Sequence, residues 1–156
     1  MRVPMKVLEA PLPGRTGTPG APAAWLPVFA AWLVAAVSTL GALFLSEVVG
    51  VPPCSLCWYQ RVFMFPLAIV LAVGLFPLDP RVLRYAAPLA VGGWLVALYH
   101  VLLTMKIIPE SMAPCTQGIP CSQETAVWFG FVTIPLLSLL SFTLIAIALA
   151  MARRRQ

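Results

Sequence analysis

The residues in this chain best suited to chemistry are sulfur-bearing. Cys54 and Cys57 form a CxxC run, Cys54-Ser55-Leu56-Cys57, and Cys115 and Cys121 lie further along with five residues between them. Thiols so spaced can exchange disulfides, staple two loops or hold a metal ion. Pro52 and Pro53 precede the first pair, and proline is tolerated at a helix start but not in its interior. A helix is therefore expected to begin beside Cys54. Helical spacing then brings Cys54 and Cys57 together and sets Arg61 one turn beyond Cys57. The helix dipole and a guanidinium one turn away both stabilise a thiolate, the nucleophilic form of cysteine. An inert staple has no use for that arrangement.

Two further residues join the candidates. Arginine at a helix end often only reaches for lipid headgroups. Arg61, however, is in register with a cysteine, where its N–H groups can bind the carbonyl oxygen of a membrane-dissolved acceptor and stabilise the charge that develops on reduction. His100 is the only histidine, set among apolar residues in Tyr99-His100-Val101-Leu102-Leu103. An ionisable residue at membrane depth is a functional candidate, and an interhelical hydrogen bond is its plainer explanation.

The elements that position these residues follow from composition. Of 156 residues, 61% are hydrophobic and 10% charged, with mean hydropathy +0.95. A soluble domain carries about 25% charged residues. The chain is too poor in charge to be a soluble enzyme, a nucleic-acid-binding domain or a disordered tail. Its uncharged stretches run over 16–46, 62–78, 85–105 and 125–152, and a membrane-crossing helix needs about 20 apolar residues. The expected fold is an all-α membrane protein, a four-transmembrane-helix bundle with spans near 24–46, 58–78, 85–105 and 127–151. The Pro- and Gly-rich residues 1–23 read as a loose tail, and 153–156 as a basic C-terminus. The first apolar run exceeds the core of a cleaved signal, which favours a retained anchor.

Charge sets the expected orientation. Arg2, Lys6, Arg15, Arg81, Arg84, Arg153, Arg154 and Arg155 fall on one side of such a bundle, and only Arg61 and Lys106 on the other. Positive residues stay inside, so both termini are expected in the cytoplasm of a cell-membrane protein. The basic excess is then a topology signal and implies no polyanion partner. Two short loops, near 47–56 and 106–126, remain outside, and all four cysteines lie in or beside them. Thiols persist as disulfides on that side. Two structural staples and a zinc site are the competing explanations, the zinc site the weaker because nothing else here needs a metal to fold. Trp58, Tyr59, Trp94, Tyr99, Trp128 and Phe129 read as an aromatic belt, Gly92, Gly93, Ser138 and Ser141 as close-packing positions, and Glu47, Glu110 and Glu124 as solvated loop residues.

The run Cys54-Ser55-Leu56-Cys57-Trp58-Tyr59-Gln60-Arg61, followed by Val62-Phe63-Met64-Phe65-Pro66, resembles the active-site segment of the DsbB/BdbC family of membrane disulfide-bond formation proteins. Gly118-Ile119-Pro120-Cys121 and Trp128-Phe129-Gly130-Phe131-Val132-Thr133-Ile134-Pro135 resemble its compact BdbC branch. The similarity runs over about residues 25–151, nearly the whole membrane region. It implies a thiol-disulfide oxidoreductase that reoxidises a DsbA/BdbD-like thioredoxin-fold thiol oxidase and passes the electrons to a membrane quinone, ubiquinone or menaquinone, with no metal. By the same resemblance the redox-active pairs are 54/57 and 115/121. Cys115 would form the mixed disulfide with the partner, Cys121 would join Cys54 transiently, and Cys57 would contact the quinone. Arg61 matches the family's quinone-contacting arginine, and His100 a histidine of the third span. Two departures stand out: the five-residue spacing of the second pair, and Gln60 where some relatives have an acidic residue. A vitamin K epoxide type of reductase carries its CxxC pair after the loop pair, the reverse of the order here.

Overall fold

The computed structural model describes residues 21–76, 79, 81–109, 127–128 and 132–155. Residues 1–20 of the expected tail, most of the second loop and both Cys115 and Cys121 lie outside the described residues, while 21–23, expected in the tail, already belong to the first helix. Four long helices carry the fold: α1 (Ala21–Leu43), α2 (Ser55–Leu75), α3 (Val82–Thr104) and α4 (Ile134–Arg154). Each is long and apolar enough to cross a membrane. α1 and α3 each pack on α2 and α4, closing a four-helix bundle.

Small residues let the helices approach. Ala31 and Ala35 of α1, Ala86, Ala90 and Ala97 of α3 and Ala152 of α4 are buried around Leu67, Leu71, Phe142 and Ile145. Without a hydrophobic force between helices in lipid, such close packing is what holds them together. Gly93 is where the ring of Phe142 enters α3, and a Cβ there would collide with it. A Cβ at Gly92 would meet the Phe63 ring at 2.6 Å. Both glycines are therefore the close-packing positions expected of them. The outer faces stay apolar, with Val37, Leu40, Ile69, Val73 and Phe76 exposed, which suits lipid rather than water.

The element ends differ from the sequence expectation, for local reasons. α1 does not stop at a loop after residue 46; it continues through a π-helical turn, Phe44–Val48, so Glu47 is helical and takes a hydrogen bond from Ser46 Oγ at 3.2 Å. α2 starts at Ser55, beside Cys54 as the proline pair predicts and three residues ahead of the 58–78 span. Two residues past the end of α3, Lys106 is left-handed at φ 57°. The Ile107 N–H reaches Leu102 C=O at 3.1 Å and the Lys106 N–H reaches Leu103 C=O at 3.0 Å, satisfying the last carbonyls. Ahead of α4, where helix is expected from residue 127, Val127–Trp128 (β1) pairs antiparallel with Val132–Thr133 (β2). Helix resumes at Ile134 with Pro135 in the first turn, where its missing N–H costs nothing.

Candidate redox site

The site is built where α2 begins. Cys54 is the N-cap residue, extended at φ −70° and ψ 169°. Its sulfur lies 3.4 Å from the backbone N–H of Cys57, the place a serine or aspartate oxygen commonly fills. This cap turns Cys57 back toward Cys54, and the two thiols stand with their sulfurs 3.0 Å apart. The CxxC spacing is thus realised as a facing pair on the first turn.

α3 brings His100 against this pair. Its imidazole is 2% exposed, with Nε2 3.9 Å from Cys54 Sγ. Gln60, 6% exposed and one turn beyond Cys57, sets its amide nitrogen 3.1 Å from His100 Nδ1. An amide N–H can only donate, so Nδ1 accepts and the ring proton sits on Nε2, facing sulfur. Gln60 and His100 are the two buried polar side chains among the described residues. They satisfy each other, as buried polar groups must.

Cys54 sits just outside the apolar span. A hydrogen bond from Cys57 is the main influence on it, burial opposes, and His100 adds to the lowering, so the thiol falls from its ordinary 9.0 to about 4. Arg61 is not among the causes of the shift at Cys54. Its guanidinium turns to α1 instead, donating from Nη2 to Ala42 C=O at 2.9 Å and from Nη1 to Ser46 Oγ at 3.3 Å. Ala42 lies in the last turn of α1 and Ser46 in the π-helical turn that follows it. The guanidinium carbon also lies 5.3 Å from the centroid of the Trp58 ring.

A cavity of about 320 Å³ opens beside these groups. Cys54, Cys57, Gln60, Arg61 and His100 form its polar side, and Leu45, Met64, Phe65, Ile134 and Leu137 line the rest. Ser138 and Ser141 face it too, so they belong to the cavity rather than to the close-packing role expected of them. Trp94, read as part of an interfacial belt, instead donates from Nε1 to Thr143 Oγ1 at 3.1 Å between α3 and α4. Sequence reading noted Gln60 only as a departure and overlooked Ala42 and Ser46. A lone amide one turn from a CxxC pair was the available signal for Gln60. Nothing marked a backbone carbonyl of another helix.

The two sulfurs and one ring nitrogen of His100 lie within 4.8 Å of one another, close enough to share a soft cation. Among the described residues no fourth ligand joins them. A structural zinc site is closed by four ligands, and the chain's other two cysteines, Cys115 and Cys121, lie outside the described residues.

A multi-pass membrane protein with a facing dithiol at the mouth of a span-end cavity is a thiol-disulfide oxidoreductase in build. The chain belongs to the DsbB family: residues 24–152 match the family described as Disulfide bond formation protein DsbB. It is 48% identical over 132 residues to the "Probable disulfide formation protein" of Metapseudomonas resinovorans, covering 84% of this chain and 92% of that one. To "Disulfide bond formation protein C" of Bacillus subtilis (strain 168) it is 40% identical over 126 residues, 81% of this chain and 91% of the relative. No solved structure matches it. Disulfide bond formation is accordingly the role of the family to which this protein belongs.

Proposed function

We propose that this protein reoxidises an extracytoplasmic thioredoxin-like thiol oxidase and passes the electrons to membrane quinone. The observation that carries the reading is the Cys54/Cys57 dithiol opening into a largely apolar cavity beside Arg61 and His100. The cavity fits a quinone ring by the chemistry of its walls. Ring-sized ligands occupy pockets of about 300–1,000 Å³ that are mostly apolar with a few placed donors. Arg61 would hold a carbonyl oxygen with the N–H groups not given to Ala42 and Ser46. A bound quinone would supply an acceptor for two electrons and two protons.

The remaining steps belong to the protein. The Cys115/Cys121 pair accepts electrons by thiol exchange with the reduced partner, releasing the partner as its disulfide. The resulting dithiol reduces the Cys54–Cys57 disulfide through a transient Cys121–Cys54 bond, with Cys57 as leaving thiolate. Re-forming the Cys54–Cys57 bond then gives up two electrons and two protons to the acceptor. His100 holds a proton on Nε2 toward Cys54, so it stabilises the thiolate that must close the bond. A DsbA-type oxidase at about −120 mV needs a stronger oxidant than a glutathione-type disulfide, which a quinone can be.

The test is anaerobic mixing of purified protein with a reduced thioredoxin-fold oxidase and ubiquinone or menaquinone, followed by quinone absorbance. Quinone reduction that disappears in Cys57→Ser is expected, with a raised quinone KM in Arg61→Gln. No reduction by the unaltered protein, or undiminished reduction by Cys57→Ser, would overturn the reading.

A further inference from the structure

The bundle carries a second cavity, of about 730 Å³, between α3 and α4 at the end remote from Cys54. Arg81 and Arg84 at the start of α3 and Arg153 in the last turn of α4 stand at its mouth. All three are exposed. Among the described residues their side chains have no ion pair or hydrogen bond. Converging cations without partners repel one another, and an anion between them relieves this.

Beyond the arginines the walls are apolar, with alanines set between Leu83, Val91 and Leu149. Ala87 continues the Arg84 face of α3, and Ala150 and Ala146 continue the Arg153 face of α4, at helical spacing. From Arg153 to Ala146 the trough descends about 10 Å along the helix axis. Larger side chains would close this slot; alanines keep it open toward the lipid. Charge at the mouth and an apolar trough below match one kind of molecule lying along a membrane protein. Arginine pairs well with phosphate oxygens, and basic pockets between spans hold anionic headgroups.

We propose that this groove seats a diacyl anionic phospholipid, its phosphate among Arg81, Arg84 and Arg153 and an acyl chain along the alanine trough. A zwitterionic lipid brings its own cation to the same arginines and is disfavoured. The proposal is independent of the redox reading, because it concerns the other end of the bundle.

The full chain in detergent micelles is titrated with phosphatidylglycerol, phosphatidylcholine and glycerol phosphate, and bound molecules are counted by native mass spectrometry. Phosphatidylglycerol is expected to be retained over phosphatidylcholine, and glycerol phosphate not to be held. Each arginine near an anionic headgroup is worth about five-fold, so the double variant Arg84→Gln, Arg153→Gln should bind phosphatidylglycerol about thirty-fold more weakly. Filling the trough with Ala87→Leu and Ala150→Leu should weaken binding with charge unchanged. Arg154→Gln, exposed and outside the groove, should bind as the unaltered protein does. The groove is refuted if Arg154→Gln loses as much as Arg153→Gln, if the leucines have no effect, or if glycerol phosphate binds as well as the lipid. The positions substituted are all exposed, and circular dichroism confirms that each variant is folded.

Discussion

Cys54 unites a helix cap and a nucleophile in one atom. With Cys57 and His100 directed at its sulfur and a pKa of about 4, reduced Cys54 is a thiolate throughout the neutral range. A lowered thiol pKa keeps the reactive form present as pH falls, until pH passes below that value. In a Cys115→Ser, Cys121→Ser background, Cys54 alkylation by iodoacetamide should therefore stay flat from pH 8 to near pH 5 and halve near pH 4. An ordinary thiol slows about tenfold per unit over the same range. Cys57→Ala should move the midpoint upward further than His100→Ala, because Cys57 is the larger cause. A midpoint near 9 in the unaltered protein, read by mass spectrometry of the Cys54 peptide, would refute the thiolate. The CxxC run, its helix-start position and the two outlying ionisable residues were legible in the sequence, since spacing and burial depth act locally. The partners were not. That His100 serves Cys54, and that Arg61 turns to Ala42 and Ser46, depends on how three helices abut.

At the level of elements, packing is set by glycine where helices touch and is indifferent to it elsewhere. Gly93 receives the fully buried Phe142 ring, whereas a Cβ at Gly41 meets nothing within 4 Å. Gly93→Ala should destabilise the bundle by about 1–3 kcal/mol through overpacking. Gly41→Ala should be neutral or stabilising, by up to about 1 kcal/mol of helix propensity. Reversible unfolding in mixed micelles measures both, and equal effects would mean that Phe142 moves aside without cost. The same contrast explains what the sequence disclosed about the helices. Four uncharged runs of membrane length gave four helices, and Gly92 and Gly93 were recognisable as small residues within one of them. The π-helical turn at Phe44–Val48 was not, because its apolar pattern reads like that of an α-helix. Nor were the paired strands Val127–Trp128 and Val132–Thr133, which continue the apolar run of α4 without a charge to mark the boundary.

Among the described residues, the arginines that close the helices and the CxxC sulfurs lie at opposite ends of the bundle. Cys54 caps the start of α2, while Arg81 and Arg84 follow its far end and Arg153, Arg154 and Arg155 close α4. Since Lys and Arg near span ends direct insertion, the eight basic residues of one side against two on the other should place the dithiol outside and both termini in the cytoplasm. The consequence can be measured in oriented membranes. After mild reduction, a membrane-impermeant maleimide should label Cys54 or Cys57 in right-side-out vesicles and fail to do so in inside-out vesicles until detergent is added. A single cysteine replacing Gln156, in a chain with its four native cysteines changed to serine, should show the reverse pattern. Labelling of both from the same face would refute the four-span topology, and labelling of each from both faces would show that the charge bias does not fix one orientation. With the orientation established, the arginine groove would face the cytoplasmic leaflet, whose anionic lipids concentrate near basic span ends. The charge asymmetry that inserts the chain would then also supply the cations that hold a lipid between α3 and α4.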